Sequence, residues 1–247
     1  MKKLKFYTVL LVLLVTLGSP MHAEAKVGSG YAIPTFRELS QTILMLGGLD
    51  INDDKVAEEY IKIAYCQLYK DNYNNDFNWN KIKTDIISRV VDKKEYYRTL
   101  YQTVEVFRLD RYDFKKGYFP VTKQTAMSGI GSLVLHDYRD FKPYCDGGLA
   151  GALFTPNISL LLDRRLTINK LDVDKSDLNK VLAIMNEVSD EERIVYARIR
   201  FRVTEALGLT YLSKKVTKSE LRGYIDSIDF FYDYNLTKPA ESIIIFK

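Results

Sequence analysis

With 247 residues, 47% hydrophobic and 28% charged, and with 18 Tyr and 12 Phe beside a single Trp, the chain has the composition of a folded protein with a sizeable core. Disordered chains are poor in such residues, 13 Gly and 6 Pro exclude collagen-like and linker-like architectures, and two Cys in this length exclude a disulfide-dense mini-protein. The formal net charge of +4 gives no general argument for binding nucleic acid, which normally requires a strong basic excess.

Taken in chain order, the first element is an export signal. Lys2, Lys3 and Lys5 precede an apolar run from Phe6 to Leu17, followed by Gly18-Ser19-Pro20 and then Ala23-Glu24-Ala25, with small residues where a signal peptidase reads. This is the pattern of a secretory signal peptide over residues 1–25. The apolar run is about a dozen residues, whereas a spanning helix needs about 20, and no Cys stands at the cleavage point to carry a lipid. Cleavage removes three Lys, one Glu and His22, leaving 33 basic and 31 acidic residues, a net charge of +2. The expected product is periplasmic or secreted, with no integral membrane segment and with residues 26–247 forming a single α+β domain.

The front of that domain, about residues 31–95, reads as helical. Pro34-Thr35-Phe36-Arg37-Glu38 has the form of a capping box opening a helix that Gly47-Gly48 stops after Leu46. Asp53 or Asp54 then caps a longer helix in which Val56, Tyr60, Ile63, Ala64 and Leu68 recur at helical spacing. The polar stretch 71–75 interrupts it, and a third helix is expected over about Phe77 to Val91. The remainder, about 98–247, changes to the period of strands. Strands are expected at 104–108, 133–135, 158–162, 166–168, 194–203, 224–232 and 243–246, with a hairpin at 112–119 whose Gly117 supplies the positive φ of a short turn. Asp174, Ser176 or Asp177 can cap an inserted helix with Leu178, Val181, Leu182 and Met185 on its apolar face. Helices first and strands afterwards give an α+β fold: a helical N-terminal layer, then a mainly antiparallel sheet with one or two inserted helices.

Histidine is the informative scarcity, since the mature chain would keep only His136. A strand residue held by hydrogen bonds is the plainer role for it, and a general base oriented by Asp137 or Asp140 the alternative. No HExxH, CxxC or G-x-S-x-G occurs, and three calcium-like strings at Asp50, Asn72 and Asp172 lack the Gly and the terminal Glu of a calcium loop. No metal and no cofactor is therefore expected. Cys66 and Cys145 invite a disulfide in an oxidising compartment, stapling the helical layer to the sheet. Paired acids Glu58/Glu59, Asp172/Asp174 and Glu191/Glu192 leave room for a carboxylate-based hydrolase, though each pair sits where caps and helix surfaces place acids anyway. The aromatic clusters at Tyr96, Tyr97 and Tyr101 and at Phe230, Phe231, Tyr232 and Tyr234 suit a core better than a ligand groove.

The strand 194–203 sorts onto two faces. Val195, Ala197, Ile199, Phe201 and Val203 share one; Tyr196, Arg198, Arg200 and Arg202 share the other. Alternate residues lie about 6.8 Å apart on a strand, so the guanidinium stems form a stripe about 13 Å long. Such a stripe suits an anionic ligand or acidic partner, or else is paired across the sheet with Asp226 or Asp229.

The run Tyr60-Ile61-Lys62-Ile63-Ala64-Tyr65-Cys66-Gln67-Leu68-Tyr69, then Asn74-Asn75-Asp76-Phe77-Asn78-Trp79-Asn80-Lys81-Ile82, and Leu109-Asp110-Arg111-Tyr112-Asp113-Phe114 with Phe119-Pro120, resembles an uncharacterised family of exported bacterial proteins, domain of unknown function 4852. The resemblance extends through Pro156 to Val173 and the Arg-rich strand. It implies an envelope location of the Gram-negative type and a helical front with a strand-rich remainder, and it brings no activity, substrate or catalytic residue. The functional expectation is thus a non-enzymatic exported protein that binds an envelope component or an exported protein partner through the arginine face. The alternatives are an envelope-polymer hydrolase and an inhibitor or chaperone-like partner; the oligomeric state is left open.

Overall fold

The computed structural model describes residues 30–92, 97–136, 145, 153–188, 193–212 and 215–245. The expected signal peptide over residues 1–25, with Tyr96, Asp137, Asp140, Glu191 and Glu192, lies outside them. Four helices lead: α1 (Phe36–Met45), α2 (Asp54–Ala64), α3 (Cys66–Asn72) and α4 (Asp76–Asp92). Thr35 caps α1 by accepting the Glu38 N–H at 3.3 Å, but the capping box is only half made, because the Glu38 carboxylate does not return to the cap and one of its oxygens is buried without a partner among the described residues. Asp53 caps α2 through the N–H groups of Lys55 and Val56. The single long helix expected to run through Leu68 breaks at Tyr65, whose φ of −140° and ψ of 46° leave the helical region. Helical spacing continues across the break and conceals it.

Strands β1 (Leu100–Arg108), β3 (Met127–His136), β4 (Ile158–Ile168), β6 (Ile194–Leu212), β7 (Lys215–Phe231) and β8 (Pro239–Ile245) form one sheet, while β2 (Tyr118–Pro120) pairs with β5 (Lys170–Asp172) in a small separate one. The large sheet runs β1-β6-β7-β4-β3, with β8 added to β7. β6 and β7 make a long antiparallel hairpin. β7 is flanked on its other side by two strands in turn: β4 along Ser219–Gly223 and β8 beyond Ser227. The sheet is mostly antiparallel but mixed, since β4 and β7 are parallel. One helix, α5 (Leu178–Val188), is inserted between β5 and β6.

Several strands are longer than their apolar runs: 158–162 and 166–168 are one strand, and the hairpin strands continue through polar residues to Leu212 and from Lys215. Backbone pairing, not side-chain hydrophobicity, extends them. The expected hairpin at 112–119 reduces to a turn with a single bridge between Asp113 and Tyr118; Gly117 does take φ of 78°, and the strand after it pairs with β5 instead.

The core forms where the helices meet the alternating face of β6. Val195, Ala197, Ile199, Phe201 and Val203 are each fully buried, in one cluster with Phe36, Leu39, Ile61, Tyr101, Phe107 and Phe230. Tyr101 anchors β1 to α1 through a 2.6 Å hydrogen bond between its hydroxyl and that of Thr42, which also donates to the Arg98 carbonyl. Gly223 allows β6 and β7 to approach, since a Cβ there would sit on the Arg202 carbonyl. Glu105 lies on β1 between core positions, opposite Ala197, and burial pushes its carboxyl above the usual range.

Two stability predictions follow from this packing. Phe201→Ala should cost about 3–5 kcal/mol in urea unfolding, whereas Val134→Ala at an exposed position should cost under about 0.5 kcal/mol. A raised Glu105 value means that the folded state holds this proton more tightly than the unfolded one. The unfavourable charge is therefore absent below about pH 4 and develops as pH rises through the folded value. Glu105→Gln should accordingly stabilise the protein at pH 7, with the gain vanishing near pH 4; equal effects at both pH values would contradict the assignment.

Candidate functional site

The side of the sheet opposite the helices carries the arginine stripe. Because β6 alternates, burying Val195 to Val203 commits Tyr196, Arg198, Arg200 and Arg202 to this face. The register places Val106, Val104, Gln102 and Leu100 of β1 opposite them in that order, and Phe231, Asp229, Ser227 and Tyr224 of β7 on their other side.

Asp229 organises the middle of the stripe. Its Oδ2 accepts from Arg198 Nη2 at 2.7 Å and Nε at 3.1 Å, and lies 3.2 Å from Arg200 Nη1. These side chains are only 24%, 22% and 14% exposed for Arg198, Arg200 and Asp229, so the attraction is screened less than in a surface pair. Arg198 also lies 4.8 Å over the ring of Phe231, which is buried yet outside the main core cluster. Tyr196 packs edge-on against Tyr234.

The other end is different. Asp226, a bulged residue between the Arg200 and Phe201 pairings, is engaged by the Tyr31 hydroxyl at 2.7 Å. Burial, and then the bond to Asp226, raise the Tyr31 phenol above its ordinary value against the opposing pull of Arg202 and Arg200. Arg200 lies over the Tyr31 ring and Arg202 over that of Tyr224. Among the described residues Arg202 has no carboxylate within ion-pair distance. Among the described residues, the buried Nε atoms of Arg200 and Arg202, and the buried Oε1 of Gln102 opposite Arg200, have no hydrogen-bond partner. Cross-strand pairing thus neutralises Arg198 and part of Arg200, and leaves Arg202 as the uncompensated cation. Tyr31 and Gln102 escape sequence reasoning because only the sheet register brings them beside the arginines.

Cys66 and Cys145 form the disulfide, with Cα atoms 5.3 Å apart across 79 positions. It joins the first residue of α3 to the connection between β3 and β4. Glu59 secures the end of that connection by accepting the N–H groups of Leu153 and Phe154 at 3.0 and 3.2 Å. The adjacent Glu58 instead pairs with Lys62 at 2.7 Å, so these two acids serve separate structural contacts. Asp172 pairs with Lys170. His136 ends β3 opposite Ile158. Tyr101, Phe230, Phe231 and Tyr232 are buried, in keeping with a packing role, while Tyr234 is exposed.

A second feature is a cleft of about 900 Å³ where the 112–117 turn, the segment before α5, α5 itself and the β7–β8 connection meet. Tyr112 fixes one wall: its hydroxyl donates to the Val173 carbonyl at 2.7 Å, and its ring packs edge-on against Phe114 and Phe119. Between the lining residues Tyr232 and Pro239, Asp233 caps the β7–β8 turn by accepting from the Lys238 and Thr237 N–H groups and the Thr237 hydroxyl. Burial of Asp233 alone would raise its carboxyl, but these donors outweigh it and hold the group below the usual range. The expected side-chain cap of α5 is not made among the described residues; Val181 N–H bonds the Asp177 carbonyl, and the carboxylates of Asp174 and Asp177 stay free beside the cleft.

Among the described residues no helix is long and apolar enough to cross a membrane, and the disulfide fits an oxidising compartment. No curated protein and no solved structure matches the chain. A family model, described as Domain of unknown function (DUF4852), matches residues 52–191. The match includes both cysteines and most of the cleft, and it stops short of the Arg-rich strand to which the resemblance was expected to extend.

Reducing the disulfide, or replacing Cys66 with Ser, should lower stability by about 4 kcal/mol in the chain-entropy account. Denaturant unfolding with and without reductant measures this, and the oxidised protein should weigh two hydrogens less than the reduced form as an intact monomer.

Proposed function

The chain belongs to the DUF4852 family, which carries no assigned activity, and we propose from its own residues that it is an exported, non-enzymatic protein that binds an anionic envelope component or an acidic exported partner. The observation that carries this reading is the unequal pairing of the arginine stripe. Three guanidinium groups share a region with two carboxylates, one of which is held by Tyr31. Arg202 is left without an acidic partner among the described residues, and two Nε–H donors are buried without an acceptor. A buried donor without an acceptor costs about 1–3 kcal/mol, and a phosphate or carboxylate group is a strong acceptor for a guanidinium.

Export rests on the N-terminal sequence pattern and is supported by the disulfide, which persists only where thiols are not kept reduced. Binding without chemistry rests on the roles of the acids: those paired in sequence at 58 and 59 serve different structural contacts. The arginines divide by role. Arg198 and Arg200 hold Asp229 and keep the sheet face together; Arg202, over the Tyr224 ring and next to Arg200 with its neighbours Tyr31 and Gln102, meets the ligand, and Tyr196 lies at the far end of the stripe.

Arg202→Ser should therefore weaken binding to vesicles containing phosphatidylglycerol about tenfold without lowering the unfolding free energy, since it also removes a buried donor that has no acceptor. A pull-down from envelope extract should lose its acidic partners with the same variant. Vesicle affinity and partner set both identical to wild type would refute the role of this face.

A further inference from the structure

We infer that the cleft between the 112–117 turn and α5 is a second binding site, independent of the arginine face, that takes a short free peptide with apolar side chains. The cleft lies almost wholly within the family-matched residues, with Tyr232 and Pro239 as the exceptions. Its volume of about 900 Å³ falls in the range of small-ligand sites, about 300–1,000 Å³.

The chemistry of the lining separates into two zones. Tyr112, Val173, Val181, Ile184, Tyr232 and Pro239 supply apolar surface. The Tyr112 hydroxyl is already committed to the Val173 carbonyl, so this ring offers a ligand its apolar body. The wall is braced as well, by the β2–β5 pairing and by the Val173 N–H bond to the Gly117 carbonyl. A cleft held open in this way needs little ordering when a ligand enters, which favours affinity.

Around this apolar surface stand charges of both signs. Lys116 is drawn to Asp113, and Asp172 to Lys170. Lys115, Lys175 and Lys180 make no ion pair among the described residues, and neither do Asp174 and Asp177. Unpaired cations and unpaired anions bordering one apolar surface complement a ligand that is itself zwitterionic with an apolar body. A free peptide of a few residues has those parts: a carboxylate for the lysines, an ammonium group for the aspartates, and side chains for the Val181 and Ile184 surface. A purely anionic ligand would meet Asp174 and Asp177, and a purely cationic one the three lysines.

The test uses the oxidised protein and the tripeptide Leu-Phe-Leu, with binding followed by calorimetry and by amide shifts. The free tripeptide should bind saturably, and N-acetylation or C-amidation should each weaken it about tenfold, the double block more. Ile184→Trp, which intrudes on the apolar part of the cleft, should weaken binding at least about tenfold, and Lys180→Glu should weaken the free peptide while leaving the C-amidated one little changed. Arg202→Ser should have no effect, which separates this site from the arginine face. Absence of saturable binding at millimolar peptide, equal affinity of free and doubly blocked peptides, or wild-type binding by Ile184→Trp would each overturn the proposal.

Discussion

The structure depends on the burial of one face of β6. Val195, Ala197, Ile199, Phe201 and Val203 are withdrawn from water against the helical layer and the inner sides of β1 and β7. Fully burying such side chains contributes about 1.5–3 kcal/mol each before entropy is charged against it. Because successive strand residues point to opposite sides, the same burial forces Tyr196 and three arginines onto the other face. A one-residue slip would bury the guanidinium groups, so the register of β6 is fixed by its hydrophobic half and the placement of its polar half follows.

That inherited polar face is then organised by its neighbours. Asp229 is close to two arginines and mostly buried, a geometry in which attraction is strong but removal of either partner leaves a costly charge. Arg202 is four residues further along, beyond the reach of that carboxylate, and the bulge at Asp226 turns the other available acid towards Tyr31. The difference between a structural arginine and an available one is therefore a matter of cross-strand register and of a single bulge.

The helical layer and the sheet are also tied where burial alone would be weak. α3 has no buried residue, yet its first residue carries the disulfide to Cys145, and Glu59 holds Leu153 and Phe154 from the preceding helix. Within the family-matched residues, these ties and the braced cleft beside α5 lie in different places. The helical end is fastened by covalent and charge-assisted bonds. The cleft end keeps charges that are unpaired among the described residues beside the apolar side chains of its lining.

Much of this was legible in local pattern. The two-residue period of 194–203 identified both its core face and its arginine face; Thr35 and Asp53 announced their helices; Gly117 marked its turn; and two cysteines in an exported-type sequence suggested their own bond. These features depend on neighbours within a few positions, where backbone geometry is set by the residues themselves. Tertiary structure decided the rest: the break at Tyr65, the extension of β6 and β7 through polar residues, the parallel pairing of β4 with β7, the company of Tyr31 and Gln102 beside Arg200, and the cleft built from three separate stretches of chain. Each joins residues far apart in the chain. Sequence spacing says which way a side chain points from its own strand or helix, and only the packing of one element on another says what it will meet there.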